Sequence, residues 1–452
     1  MSTSYIIFLV ASAVTLLLLM VLKFKINAFI SLIITSVYVG ILAGMPLSDI
    51  PASIQKGMGG TLGFVATVIG LGAIFGQILE SSGGAESLAQ YLLNKFGQSK
   101  ASWAMMLTGF IVAIPVFLDV ALIILIPIIY ALSRDTKKSL LYFGIPLLAG
   151  LAVTHSFVPP TPGPIAVAEI LKVPLGWVIL FGIILGFPTA VIAGPFFGKY
   201  ISKKIIVNTP SVFSEEGQDV RDNKNLPSFW LIIVLIGIPL ILIVINTITD
   251  VMVKNTVIAK STFTDILIFL GHPFIALTIA TLSTIYLLGI KRKMPRQKIL
   301  DLSTKALGPA GIIILITGAG GVLKQILVDS GIGTMMAKSI AGSALSPIFM
   351  AWLLAAIIRV AQGSATVAMI TSAGIISSIL PIFNLDEPHM ALIVIAIASG
   401  ATLLSHVNDS GFWLVNKYFG MSEKQTLQSW TIMESIIALC GLIFTLAAGL
   451  II

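Results

Sequence analysis

Apolar stretches long enough to cross a lipid bilayer recur along this chain from end to end, near 5–22, 27–45, 61–80, 141–167, 175–197, 229–248, 267–290, 307–327, 388–413 and 431–452. Nothing else in the sequence limits the fold as strongly. A helix of about 20 apolar residues spans the hydrocarbon core, and within that core each backbone polar group must be satisfied inside the protein. The chain is therefore expected to be an all-α polytopic membrane protein. Only 10% of the 452 residues are charged, against 57% hydrophobic, and a soluble surface cannot be built from so few charges. The first apolar run ends in Lys23-Phe24-Lys25 with no small-residue cleavage site, so it reads as a retained helix rather than a signal peptide. Cys440, the single cysteine, lies in the last apolar run, and no disulfide framework or thiolate cluster is expected.

Two further apolar stretches, 103–131 and 347–383, are interrupted half-way by "AIPVFLDV" and "IIRVAQGSATVA". Polar backbone survives at membrane depth only when buried in protein or lining a wet cavity, so both are expected to be re-entrant hairpins with tips near 115–119 and 361–366. Two of the ten spans are broken as well. Residues 154–166 read "THSFVPPTPGPIA", and a helix cannot pass through prolines that lack a donor and clash with the preceding turn. Its counterpart is "LLSHVNDSGFW" at 403–413, an apolar helix interrupted by turn formers beside His406.

The two halves of the chain share matching blocks, an internal duplication. "NAFISLIIT" (27–35) matches "HPFIALTIA" (272–280), and "GLGAIFGQILESSG" (70–83) matches "GAGGVLKQILVDSG" (318–331), including the polar Gln-Ile-Leu and Ser-Gly positions. The longest polar segment, 208–228, lies between the copies, which divides the chain into a first repeat (1–207), a linker (208–228) and a second repeat (229–452). Five crossings and one hairpin per copy make the copies inverted relative to each other. Placing the Lys23–Lys25 loop in the cytoplasm puts Lys56, Lys172, Lys254, Lys260 and Lys338 in outer loops and Lys324 and Arg359 in or near apolar segments, leaving 20 of the 27 basic residues inside. That is the positive-inside bias; it explains the net charge of +8 without nucleic acid, and it sets both termini outside and the linker in the cytoplasm.

An inverted repeat with about ten transmembrane helices, two hairpins and two broken helices is the architecture of a secondary transporter, with its site where the broken elements converge. Half-helix ends there offer free amides and carbonyls to ions. The candidate substrate-binding residues are Asp119, Thr154, His155, Ser156, Gly363, Ser364, Thr366, His406, Asn408 and Asp409. Asp119 is the leading proton carrier, because an acid deep in an apolar stretch is costly and an anionic substrate favours its protonated form. Asp409 and His155 are the reserves, and Asp409 can equally cap a half-helix. Lys324 and Asp329 are expected to snorkel outward. Arg359 pairs either with a substrate carboxylate or with a lipid phosphate; the residues do not choose. No metal or cofactor is expected: none of the four histidines forms an HExxH-type spacing, which also argues against a membrane-embedded enzyme. A channel would need rings of carbonyls or charges along a pore, and none is visible.

"GMGGTLGF" (57–64), "VTHSFVPPTPGP" (153–164), "GAGGVLKQILVDSG" (318–331), "QGSATVA" (362–368) and "SHVNDSGFW" (405–413) resemble the gluconate permease (GntP) family of the ion transporter superfamily, over essentially the whole chain. The resemblance implies proton symport of gluconate or a related sugar acid across the bacterial inner membrane, or of another small acid such as D-serine or glycerate. It also implies an elevator mechanism and a homodimer among membrane lipids. The sequence departs from the family pattern at Asp119, where glutamate is common, and at Thr161, where histidine is; both differences bear on substrate choice.

Overall fold

A computed structural model describes residues 3–209, 226–332 and 346–452, and every regular element in it is helical. The first stretch holds α1 (Thr3–Leu18), α2 (Ala28–Leu42), α3 (Asp49–Ser81), α4 (Gly84–Phe96), α5 (Ala101–Val112), α6 (Leu118–Thr136), α7 (Leu141–Phe157), α8 (Pro162–Leu171), α9 (Leu175–Val191) and α10 (Phe197–Lys204). Then come α11 (Phe229–Lys254), α12 (Thr262–Gly271), α13 (Pro273–Thr284) and α14 (Arg296–Asp329). The third stretch holds α15 (Pro347–Gln362), α16 (Ala365–Ile376), α17 (Glu387–Gly400), α18 (Ser410–Phe419), the short α19 (Glu423–Thr426) and α20 (Ile432–Ala448). Most of the expected linker 208–228, with Arg221 and Lys224, and Lys338 of the expected outer loops lie outside the described residues.

Seven segments among the described residues are long and apolar enough to cross a membrane: Asp49–Ser81, Leu141–Leu171, Leu175–Lys204, Phe229–Lys254, Pro273–Ile290, Arg296–Asp329 and Glu423–Ala448. This is a multi-pass membrane protein, and seven of the ten expected spans meet that measure among the described residues. The other three expected spans appear as shorter apolar helices, Ala11–Val21, Ala28–Leu42 and Glu387–Gly400. At 1.5 Å per residue, the 15-residue α2 covers only about 22 Å of a hydrocarbon core of about 30 Å. In the most apolar part of Leu141–Leu171, 89% of the residues are buried inside the protein, against 33% for Phe229–Lys254. The broken segment is thus the centre of the molecule and α11 lies at its edge, where Trp230, Val234 and Ile241 stay exposed as a face for a bilayer to cover.

The duplicated sequence blocks produce duplicated local structure. Asn27 caps α2 by accepting from the Phe29 amide (2.9 Å), and His272 caps α13 by accepting at Nδ1 from the Phe274 amide (3.4 Å). The 33-residue α3 and the 34-residue α14 both end in a serine that donates to the carbonyl three residues back, Ser82 to Leu79 and Ser330 to Leu327. A glycine with positive φ follows each, Gly83 (84°) and Gly331 (72°). The two long helices run antiparallel along each other: Ser53 near the start of α3 donates to Asp329 at the end of α14 (2.7 Å), while Arg292 before α14 donates to the Ser82 carbonyl (3.1 Å). Their backbones nearly touch. A β-carbon on Gly57 would fall 2.6 Å from the Gly321 carbonyl oxygen, so only glycine permits this approach. Lys324 does not snorkel outward; its ammonium donates to the Ile170 carbonyl in the last turn of α8, satisfying a helix-end acceptor that would otherwise be orphaned.

Both hairpins form where breakers interrupt the apolar runs. α5 packs along α7 at Gly109 and Gly150, and its turn at 113–117 arrives beside His155 and Pro160. α6 then leads from Leu118 to the loop that starts α7. The second hairpin joins α15 to α16 through Gly363 (φ 85°) and Ser364, whose hydroxyl accepts from the Val367 amide (3.4 Å). The two expected breaks also form, between α7 and α8 and between α17 and α18.

Candidate functional site

The hairpin turns, the end of α7 and the second break meet around one cavity of about 500 Å³, within the range of small-molecule sites, about 300–1,000 Å³. Its wall includes Asp119, His155, Ser156, Gly363, Ser364, Thr366, Asn408 and Asp409, eight of the ten residues singled out from the sequence. Thr154 is not among them. α7 continues helically to Phe157, and successive residues on a helix point about 100° apart, so His155 reaches the cavity while Thr154 is fully buried with its hydroxyl unpartnered. His406 is also outside the lining: its Nε2 lies 3.0 Å from the Val360 carbonyl. Asn408 Nδ2 donates to the same carbonyl at 3.1 Å. These two side chains therefore satisfy the C-terminal carbonyls of α15, acceptors left open where the hairpin helix ends. The Asn408 carbonyl oxygen remains for the cavity.

The strongest polar cluster centres on residues that sequence reasoning left open or passed over. Arg359, in the last turn of α15, is 3% exposed and donates through Nη2 to Asp409 Oδ2 at 2.5 Å. Asp409 also accepts from the Ser405 hydroxyl and from the Gly411 amide (3.0 Å), and Trp430 Nε1 donates to Ser405 Oγ (2.6 Å). Asp409 therefore heads α18 as its cap, with its oxygens engaged by Arg359, Ser405 and the Gly411 amide. Arg359 Nε and Nη1 and the Gln362 side-chain amide are buried with no hydrogen-bond partner, and both residues line the cavity. Buried donors of this kind are costly unless a ligand meets them. The N-terminus of α16, whose first residues Ala365 and Thr366 line the same wall, adds free amides and the positive end of a helix dipole.

Two carboxyls besides Asp409 face this space. Asp119, in the first turn of α6, is exposed, because the hairpin turn ends at Phe117 and leaves it at the cavity mouth; the expectation of a poorly solvated acid does not hold there. The enclosed acid is Glu434, 4% exposed and also lining the cavity. Among the described residues no group of three His, Cys, Asp or Glu side chains is placed to hold a metal ion.

The geometry gives a polar cavity, and comparison with known proteins gives the class of protein that holds it. The family model described as "GntP family permease" matches residues 5–451. The chain belongs to the GntP permease family. It is 40% identical over 449 residues to a gluconate permease of Bacillus licheniformis, covering 98% of this chain and 99% of that protein. It is equally 40% identical to a low-affinity gluconate transporter of Escherichia coli K12, covering 99% of each. An L-idonate transporter of the same organism is 38% identical, covering 97% of this GntP permease and 98% of the relative. Among solved structures, the YdaH transporter of Alcanivorax borkumensis shares the fold with a TM-score of 0.61 at 12% identity, covering 88% of each chain. The GntP permease is thus a multi-pass membrane transporter and not an enzyme.

Proposed function

We propose that this GntP permease imports gluconate or a closely related sugar acid by proton symport across the bacterial inner membrane, through an elevator-type movement. The observation that carries the reading is the Arg359 guanidinium, which uses one nitrogen on Asp409 and leaves Nε and Nη1 buried and unpartnered beside the cavity. A planar fork of donors matches a carboxylate bidentately. Gln362, Ser364, Thr366 and the Asn408 carbonyl supply donors and acceptors along the wall for a chain of hydroxyls. The names of the relatives, gluconate and L-idonate transporters, fit the same chemistry.

The elevator reading rests on which helices hold the site. Every cavity residue comes from between Phe117 and Ser156 or between Arg359 and Glu434; α1–α3 and α11–α14 contribute none. Those helices instead meet the site's outer side, with Gly76 of α3 against Pro115 and Gly320 of α14 against α16, where a β-carbon on Gly374 would fall 3.1 Å from the Gly320 carbonyl oxygen. Such a division lets the site move as one body past a frame, and the antiparallel α3 and α14 suit two inverted copies.

The test is uptake into proteoliposomes against a panel of aldonates, uronates, glycerate and D-serine, with an imposed pH gradient and with or without sodium. Concentrative, sodium-independent, pH-driven uptake of a six-carbon aldonate is expected. Uptake only of D-serine, or only with sodium, contradicts the reading. For the movement, cysteines at Ala73 and Ile114, which line one recess between α3 and the first hairpin, are cross-linked in a Cys440→Ser background; transport should stop while substrate binding persists.

A further inference from the structure

Glu434 has no part in the site as read so far, yet it is the most enclosed acid there. It lies in Glu423–Ala448, about three turns from the start, just after the π-helical segment Leu427–Thr431. π-turns inside helices recur at functional sites. Its backbone is tied to the second break, where Thr402 donates to the Glu434 carbonyl (3.4 Å) and Thr431 donates to the Ser405 carbonyl. Its carboxyl makes no hydrogen bond among the described residues, and it lines the same cavity as Arg359 and Asp409. The charged and titratable groups around it are few. α15 presents Arg359, the head of α18 presents Asp409, and across the cavity α6 and α7 present Asp119 and His155. α9, which also packs on α20, carries none between Leu175 and Val191. α17 carries Glu387 and His389 at its opposite end, where Glu387 is paired with Lys254 (3.8 Å) and His389 with Asp386 (2.6 Å).

This neighbourhood holds one guanidinium and two buried carboxyls, and Asp409 already takes Nη2. The remaining Nε and Nη1 can neutralise one more carboxylate, either that of Glu434 or that of the substrate. We propose that Glu434 is the proton-binding group of the symport, and that substrate and proton are coupled because an ionised Glu434 and the substrate carboxylate compete for the free edge of Arg359. The inference rests on the sugar-acid site proposed above. In the empty carrier the Glu434 carboxylate answers Arg359. When substrate enters, its carboxylate takes Nε and Nη1, and Glu434 takes up one proton from the outside and becomes a neutral acid. When substrate leaves inside, Glu434 returns that proton to the cytoplasm and faces Arg359 again. The charge of the cluster is the same loaded and empty, so neither form carries an extra buried charge through the apolar interior.

The experiment is binding and accumulation of gluconate in proteoliposomes for wild type, Glu434→Gln, Glu434→Asp and Asp119→Asn. In the wild type, affinity weakens with rising pH by up to about tenfold per unit once Glu434 ionises in the empty site, as linkage of one proton requires. Glu434→Gln mimics the protonated acid. It should bind with an affinity that no longer changes with pH, exchange substrate across the membrane, and fail to accumulate it against a gradient. Glu434→Asp should accumulate substrate with its pH dependence displaced, which keeps the idea testable if the glutamine variant does not fold. pH-driven accumulation by Glu434→Gln at the wild-type level, an undisplaced profile in Glu434→Asp, or loss of accumulation in Asp119→Asn alone overturns the proposal. If the wild type itself binds no sugar acid, the failure lies in the site reading and not in the coupling.

Discussion

The two helix breaks solve one problem with different chemistry. Between α7 and α8 the chain turns through Val158–Thr161 with prolines at 159, 160, 162 and 164, residues that bring no N–H to satisfy. A single side-chain bond, Thr161 Oγ1 to the Val158 carbonyl at 2.7 Å, completes the turn. Between α17 and α18 the donors are kept and partnered instead. Thr402 donates to Ser399 (2.7 Å), His406 and Asn408 face the end of α15, and Asp409 collects Gly411, Ser405 and Arg359. The break made by deleting donors contributes no residue of its turn to the cavity, whereas the break made by supplying partners places Asn408 and Asp409 on its wall.

The largest effect that can break this contrast is at Arg359. Arg359→Ala leaves Asp409 buried without its cation and should cost about 3–5 kcal/mol, read as loss of the folded transporter by thermal denaturation in detergent. A substitution in the proline turn should not approach that. Gly363→Ala comes next: its φ of 85° and a β-carbon that would lie 2.7 Å from Asn408 Cγ predict about 1–3 kcal/mol of strain and a displaced second hairpin turn, visible as lost substrate binding. Ser364→Ala removes the cap of α16 at about 1 kcal/mol and should weaken substrate affinity severalfold in equilibrium binding. Unchanged affinity for every sugar acid would move the carboxylate away from this helix start. The smallest effect is expected for Thr161→Ala, about 1 kcal/mol of stability with substrate affinity unchanged; a large loss of affinity there would mean that the first break also reads the substrate.

What could be read from the sequence follows the same division. Prolines and duplicated caps act on the backbone within a few residues, so the breaks, the hairpin turns and the paired starts at Asn27 and His272 were legible. Span bounds were less so, because hydropathy does not show where a helix stops: α2 ends at Leu42 and α17 at Gly400, short of the apolar runs that contain them. Arg359 stood out as a charge in an apolar run, but its partner Asp409 is 50 residues away, and only the fold joins them. Glu434 was missed because the last span was expected to begin at 431, which puts an acid at the membrane edge; the helix in fact starts at Glu423 and carries it inward. The rule that drew attention to Asp119, an acid inside an apolar helix, finds Glu434 once that start is known.

The central claim is that Arg359 binds the substrate's carboxylate. It is tested most directly by measuring the affinities of gluconate and of its neutral polyol analogue for wild type and for the Arg359→Gln/Asp409→Asn double variant, which removes both members of the ion pair and leaves no lone buried charge. A hydrogen-bonded charge pair contributes about 1.5–3 kcal/mol, so the wild type should favour gluconate by about 10- to 150-fold, and the double variant should bind the two compounds nearly equally. A double variant that is folded and keeps the full preference for gluconate contradicts the account.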